Sequence, residues 1–114
     1  MPATEGPMPT EIRILTADQA VLFSLYRWLD ADAHAHLDPG TRIALIPAQA
    51  VTATVIGTAG LRGLAQSYAA WRLSRRSTDE RPVTFETADG KAGVTVTDAS
   101  PRAIEAIAAL LDAP

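Results

Sequence analysis

The stretch IALIPAQAVTATVIGTAGL, Ile43–Leu61, decides how this chain folds, because its nineteen residues between Arg42 and Arg62 carry no charge. A membrane-spanning helix needs about 20 predominantly apolar residues. This run holds Pro47, Gln49, three threonines and two glycines, so its apolar density is low. It divides more naturally in two. TRIALIP, Thr41–Pro47, has the dense apolar run of a central strand. AQAVTATVIGTAG, Ala48–Gly60, stays open between a loop, a frayed helix start and a segment that orders only on contact.

Working outward, GLRGLAQSYAAWRLSRR (Gly60–Arg76) has helical spacing. Leu61, Leu64, Tyr68 and Trp71 form one bulky stripe at alternating three- and four-residue steps. Beside it Gly60, Gly63, Ser67, Ala70 and Ser74 form a stripe of small residues, along which another backbone can approach closely. That seam serves either packing inside the domain or contact with a second copy or a partner. The glycines match neither a Walker A loop nor G-x-G-x-x-G, so phosphate binding is not expected. Arg72, Arg75 and Arg76 cluster at the helix end, where cations complement the dipole by about 0.3–1 kcal/mol each or present a basic patch to an acidic partner.

The remaining segments complete the pattern. EIRILT (Glu11–Thr16) alternates as a half-buried strand, and Thr16 stands three residues before Gln19 at capping-box spacing. A helix from Ala17 to about Asp30 sets Val21, Leu22, Leu25, Trp28 and Leu29 on one face, and Pro39-Gly40 breaks the chain after it. VTFET and GVTVT flank Asp89-Gly90 as a hairpin, and Ser100-Pro101 opens a last helix carrying Ile104, Ile107, Ala108 and Leu111. The expected fold is α+β: a two-layer sandwich in the order β-α-β-α-β-β-α, with three helices on one face of a four-stranded mixed sheet. Residues 1–10, rich in proline and small residues, are expected to form a disordered lead to a single domain over 11–114.

Chemistry is sparse. Net charge is −3, which gives no general attraction for nucleic acid, and the absence of cysteine excludes disulfides, thiol catalysis and thiolate metal sites. That composition suits a reducing cytoplasm. His34 and His36 stand among Asp30, Asp32 and Asp38, but on a helix the two rings point about 200° apart. No serine lies in G-x-S-x-G, and Asp79-Glu80 sits in a polar connection. No nucleophile, base and orienting residue assemble, so neither an enzyme nor a cofactor or metal site is expected.

EIRIL, LYRWL, AAWRLSRR, VTFETADGK, VTVTDA and the closing Leu110-Leu111 occur in an order that resembles the effector-associated constant component family of actinobacterial conflict systems. Two departures stand out: only Pro47 follows the second strand, and Gly93 interrupts KAGVTVT. The resemblance implies a non-catalytic adaptor or regulator in an immunity or cell-death module, encoded beside variable effectors that include caspase-like and trypsin-like peptidases. It brings no catalytic residues to transfer. Two other readings remain at this stage: a membrane-acting component that inserts Ile43–Leu61, and a small metal-dependent enzyme using His34, His36 and the nearby aspartates.

Overall fold

Strand β1 (Pro9–Leu15) pairs on both sides, with β3 (Ala50–Ile56) and with β4 (Val83–Thr87). β2 (Arg42–Ile46) pairs with β3, and β5 (Gly93–Val96) with β4. The computed structural model describes residues 9–37, 40–46, 49–75 and 81–111. Its sheet has five strands in the order β2-β3-β1-β4-β5, and every pairing is antiparallel.

This corrects the expected four-stranded mixed sheet and the order β-α-β-α-β-β-α. The unassigned AQAVTATVIGTAG contains strand β3, so the order becomes β-α-β-β-α-β-β-α. Helix α1 (Gln19–Ala35) links β1 to β2, and helix α2 (Gly57–Ser74) links β3 to β4. Each helix joins strands that run the same way, but one oppositely directed strand lies between them: β3 in the first case, β1 in the second. The sheet is therefore built from two interleaved split β-α-β units, with no parallel ladder. β2, expected to be central, is an edge, which leaves its inward Ile43 and Leu45 only half-buried.

All three helices pack on one face. Ile12, Ile14, Val51, Ala53, Val55, Val83 and Phe85 point into that face at 0% exposure and join one core with Leu22, Leu25, Leu64, Tyr68 and Ile107. Full burial stabilises each large apolar side chain by about 1.5–3 kcal/mol. The opposite sheet face stays open and polar. There Arg13 bridges to Glu86 at 2.8 Å, and the Thr84 and Thr95 hydroxyls meet at 2.7 Å.

The links explain the boundaries. β2 and β3 are joined by a short connection in which Ile46 C=O accepts from Gln49 N–H at 3.0 Å. β3 passes into α2 with no intervening loop, because Gly57 adopts φ 70°, a left-handed conformation open to glycine at no steric cost. α1 is capped by Asp18 rather than by the expected Thr16, its Oδ1 accepting from Ala20 and Val21 N–H at 2.9 and 3.1 Å. α1 also runs five residues past Asp30, carried by Ala31, Ala33 and Ala35, the residue type with the highest helix propensity. Strand β1 begins at Pro9, inside the expected lead, whose residues 1–8 lie outside the described residues. The Asp89-Gly90 hairpin is present: Asp89 Oδ1 accepts from the Thr87 hydroxyl and from Lys91 N–H, which holds its carboxyl below the usual carboxylate range. Helix α3 (Pro101–Ala108) is capped by Ser100 as expected and ends in a 3-10 turn, Ala109–Leu111.

Asp18 both caps α1 and forms an ion pair with Arg81. Asp18→Ala is expected to cost about 1–2 kcal/mol, the usual loss for an N-cap. A urea titration should show a lower midpoint at unchanged slope.

Candidate functional site

Helix α2 occupies the middle of the helical layer, touching α1 on one flank and α3 on the other. Its bulky stripe is buried as the periodicity predicts, with Leu61, Leu64 and Tyr68 at 0% and Trp71 at 2% exposure. The small-residue seam divides. A Cβ on Gly60 would come within 3.3 Å of Val55 Cβ, so this position lets the helix start close against β3. Gly63 faces Leu37 at the end of α1, and Ser67 donates to Asp32 Oδ2 at 2.5 Å. Ala70 and Ser74 are exposed, and the Ser74 hydroxyl turns back onto Trp71 C=O at 2.6 Å. One edge of the seam is thus an internal contact with α1 and β3, and the other faces solvent. Between α1 and α2 it leaves a groove of about 450 Å³ whose lining includes Asp32, His36, Gly63, Gln66 and Ala70.

Of the three arginines expected to form a basic patch, Arg72 is only 7% exposed. Its Nε donates to the Tyr68 hydroxyl at 2.7 Å and its Nη2 to Arg81 C=O at 2.9 Å. Its guanidinium also lies over the Tyr68 and Trp71 rings, at 5.3 and 5.8 Å. A charge buried this far requires partners of that kind. Arg75 stacks on the other side of the network, 4.9 Å from the Trp71 centroid, with Nη1 donating to Ser24 Oγ at 3.2 Å. Arg76 lies outside the described residues.

Tyr68 passes the network on, its hydroxyl donating to Asp98 C=O at 2.8 Å. Trp71 Nε1 donates to Ser24 Oγ at 3.1 Å. Burial raises the Tyr68 pKa, and the adjacent Arg72 charge opposes that rise without cancelling it. On the α3 flank Arg62 makes a two-pronged bridge to Glu105, at 2.6 and 3.1 Å, which lowers the Glu105 pKa.

The histidines and aspartates do not converge. His34 Nδ1 lies 2.8 Å from Asp30 C=O on the β2 side of α1, while Asp32 faces α2 and His36 ends the helix. Asp38, Asp79 and Glu80 lie outside the described residues, and among the described residues no three metal-ligating side chains cluster. A hollow of about 670 Å³ opens at the end of the sheet beside the Asp18–Arg81 pair, bordered by Leu15, Pro82 and Thr84.

Asp32 stood out in the sequence only as a candidate metal ligand, and nothing there marked Asp32, Ser24 or Asp98 as partners of α2. Each is an ordinary polar residue on an exposed-looking face or turn. Only the antiparallel packing of α1 on α2, and of α2 on α3, brings them to Ser67, Trp71 and Tyr68.

The profile of the Effector Associated Constant Component 1 family matches residues 16–113. The chain belongs to that family. The match takes in α1, the whole seam, the arginine network and α3, so the features above are built from the family's own region. No curated protein and no solved structure matches the chain.

Two substitutions separate inner from outer positions. Arg72→Ala leaves the Tyr68 hydroxyl and Arg81 carbonyl short of a donor and opens a cavity, for an expected loss of about 2–4 kcal/mol. Ala70→Leu, on an exposed position, is expected to change stability by less than about 0.5 kcal/mol. Thermal or urea unfolding of both variants checks the contrast. A second expectation concerns alkaline pH. The folded Tyr68 pKa exceeds the ordinary 10.0, so its contribution is complete below pH 10 and declines as pH rises through the folded value. Phenolate absorbance should show Tyr68 ionising later than a free tyrosine, with stability falling in that range, and Tyr68→Phe should weaken that fall.

Proposed function

We propose that this protein is a non-catalytic, cytoplasmic adaptor or regulator of a bacterial immunity or programmed-cell-death system, associating with a variable effector such as a caspase-like or trypsin-like peptidase. Membership of the effector-associated family carries this reading. A "constant component" that accompanies changing effectors needs a durable fold and a presentable surface more than a reactive centre. The geometry is consistent with that role. Ser67 and Trp71 of α2 bond to α1, Arg62 bonds to α3 and Tyr68 to the turn before it, and the histidines that a small metal enzyme would need lie on two flanks of α1.

The membrane-acting alternative draws less support. The described residues of Ile43–Leu61 lie in β2, β3, the turn at Gln49 and the start of α2. Val51, Ala53 and Val55 within it are at 0% exposure, so insertion would require β3 to leave both β1 and β2. Among the described residues no helix is long and apolar enough to cross a membrane.

The test is co-expression with the effector encoded beside the gene, affinity capture, and assay of the effector's activity with and without this protein. The expected outcome is capture of the effector and a changed activity. Absence of both, or sedimentation of the protein with liposomes alone, would remove the adaptor reading.

A further inference from the structure

The sheet ends in two edges, β2 and β5, and they are not equally guarded. β5 is four residues long, follows Lys91 and opens with Gly93. β2 is five residues long, and Arg42 at its start is the one charged side chain in it. Ile46 is 38% exposed, and Ile43 and Leu45 are half-buried on the helical side. Natural edges are commonly blunted by charge, proline or a bulge. Between Ile43 and Ile46, β2 has none of these, and its register with β3 is unbroken.

Two hydrogen bonds fix the phase of β2. Ile46 C=O turns toward β3, accepting from Gln49 N–H at 3.0 Å, so by alternation the backbone groups of Arg42, Ala44 and Ile46 face β3. Ala88 N–H donates to Glu11 C=O at 3.2 Å, which directs Glu11 and Arg13 to β4, and Ile12 and Ile14 to β3. In β3 this leaves Thr52 and Thr54 to bond β2, opposite Ala44 and Arg42, and the phase is the same. The N–H and C=O of Ile43 and Leu45 therefore point out of the sheet edge, where among the described residues nothing bonds them.

We propose that β2 pairs antiparallel with β2 of a second copy, about a two-fold axis through Ala44. The pairing joins two five-stranded sheets into one of ten, with both helical layers on the same face. Open sheets of this size occur in proteins. The phase selects the axis. Ile43 and Leu45 hold the outward groups, and a dyad at Ala44 lets each exchange both bonds with the other in the second copy. Within the strand, a dyad at Ile43 or at Leu45 would satisfy one such pair in place of two.

The side chains suit the same axis. On the helical side a recess of about 370 Å³ opens between the end of α1 and β2, its lining including Asp30, Ala33, Thr41 and Ile43. The Leu45 of each copy comes level with the Ile43 of the other, at the mouth of that recess. On the open side the two Ala44 residues form a close, non-hydrogen-bonded pair, with Cα atoms about 4.5 Å apart, where a methyl group fits without crowding. Arg42 comes level with Ile46 of the second copy, and its aliphatic stem can lie along that exposed side chain. The two Arg42 charges are then about 14 Å apart along the ladder, beyond the Debye length of about 8 Å at physiological salt. A second copy suits this edge better than an unrelated strand, because the outward groups and the aliphatic side chains are both symmetric about Ala44.

The interface specifies a homodimer and is tested on the protein alone, so its failure is distinct from failure of the effector reading. Light scattering across a concentration series should show monomer passing to dimer and nothing larger. Ala44 is exposed and its backbone already serves β3, so Ala44→Lys is expected to leave the fold in place. It sets like charges directly opposite each other on the dyad. The variant should give the monomer mass with an unchanged far-UV spectrum and melting temperature. The chain has no cysteine, so Ala44→Cys introduces one thiol for each copy. Mild oxidation should convert most of this variant to a disulfide-linked dimer, the Cα separation lying within bridging range. Thr95→Cys, exposed on the other edge, should not cross-link. A monomer at every concentration overturns the proposal, as does a dimer that survives Ala44→Lys or in which Ala44→Cys fails to cross-link. Cross-linking of Thr95→Cys, or growth beyond a dimer, overturns it by bringing β5 into the contact. It is equally overturned if the protein alone is monomeric and Ala44→Lys instead abolishes effector capture, which would assign the edge to the effector.

Discussion

The helical layer depends on the burial of one guanidinium. Arg72 is held under Tyr68, Trp71 and the Arg81 carbonyl, where an unsatisfied charge would cost several kcal/mol. Satisfying it fixes what surrounds it. The Tyr68 hydroxyl accepts from Arg72 and donates to Asp98 C=O, just ahead of α3. The Arg81 carbonyl sets the chain just before β4, and the neighbouring Trp71 reaches Ser24 on α1. One end of α2 thus connects α1, the start of β4 and the approach to α3 through directional contacts, which the apolar core alone does not supply. The composition of AAWRLSRR follows from this demand: an aromatic, a buried cation and a second cation stacked outside it.

The topology places α2 where such a hub is useful. Because the two split β-α-β units interleave, α2 crosses above the central strands and has a helix on each side. Its residues then serve three directions according to their angle around the axis: inward to the sheet, sideways to α1 and α3, and outward to solvent. Gly60, Ser67 and Ala70 belong to one stripe in the sequence but to different directions in the fold, and that division distinguishes packing residues from presentable ones.

Much of this was legible beforehand. Strands β1, β4 and β5, all three helices, the Asp89-Gly90 hairpin and the Ser100 cap followed from period, turn chemistry and capping residues. Strand β3 escaped because its link to β2 lacks an Asn-Gly or Asp-Gly signal, and because it runs directly into α2 through Gly57. An apolar run that changes from strand to helix without a polar break shows neither period clearly. The mixed sheet was a natural inference from helix-linked strands, which do run parallel here. What separates them is a strand inserted from elsewhere in the chain, a relation no local window contains. Arg72 was misplaced for a similar reason: its spacing marks the end of a helix, and only the approach of Arg81 and Asp98 shows that this end is covered. The family resemblance was carried by motif order and survived these errors, since it did not depend on how the motifs packed.

The interleaving also bears on how the molecule comes into being. Strand β1 is made before the other described elements, yet Ile12 is flanked by Ala53 on one side and Thr87 on the other. Neither neighbour is local, so the sheet's middle must wait on distant partners, and topologies dominated by such contacts fold slowly. On a ribosome, β2 and β3 can close as a hairpin and accept β1, but β1 keeps an open edge until β4 has emerged. The order of synthesis therefore leaves β1 half-paired while α1, β2, β3 and α2 are made, and completion of the sheet coincides with the arrival of the β4–β5 hairpin.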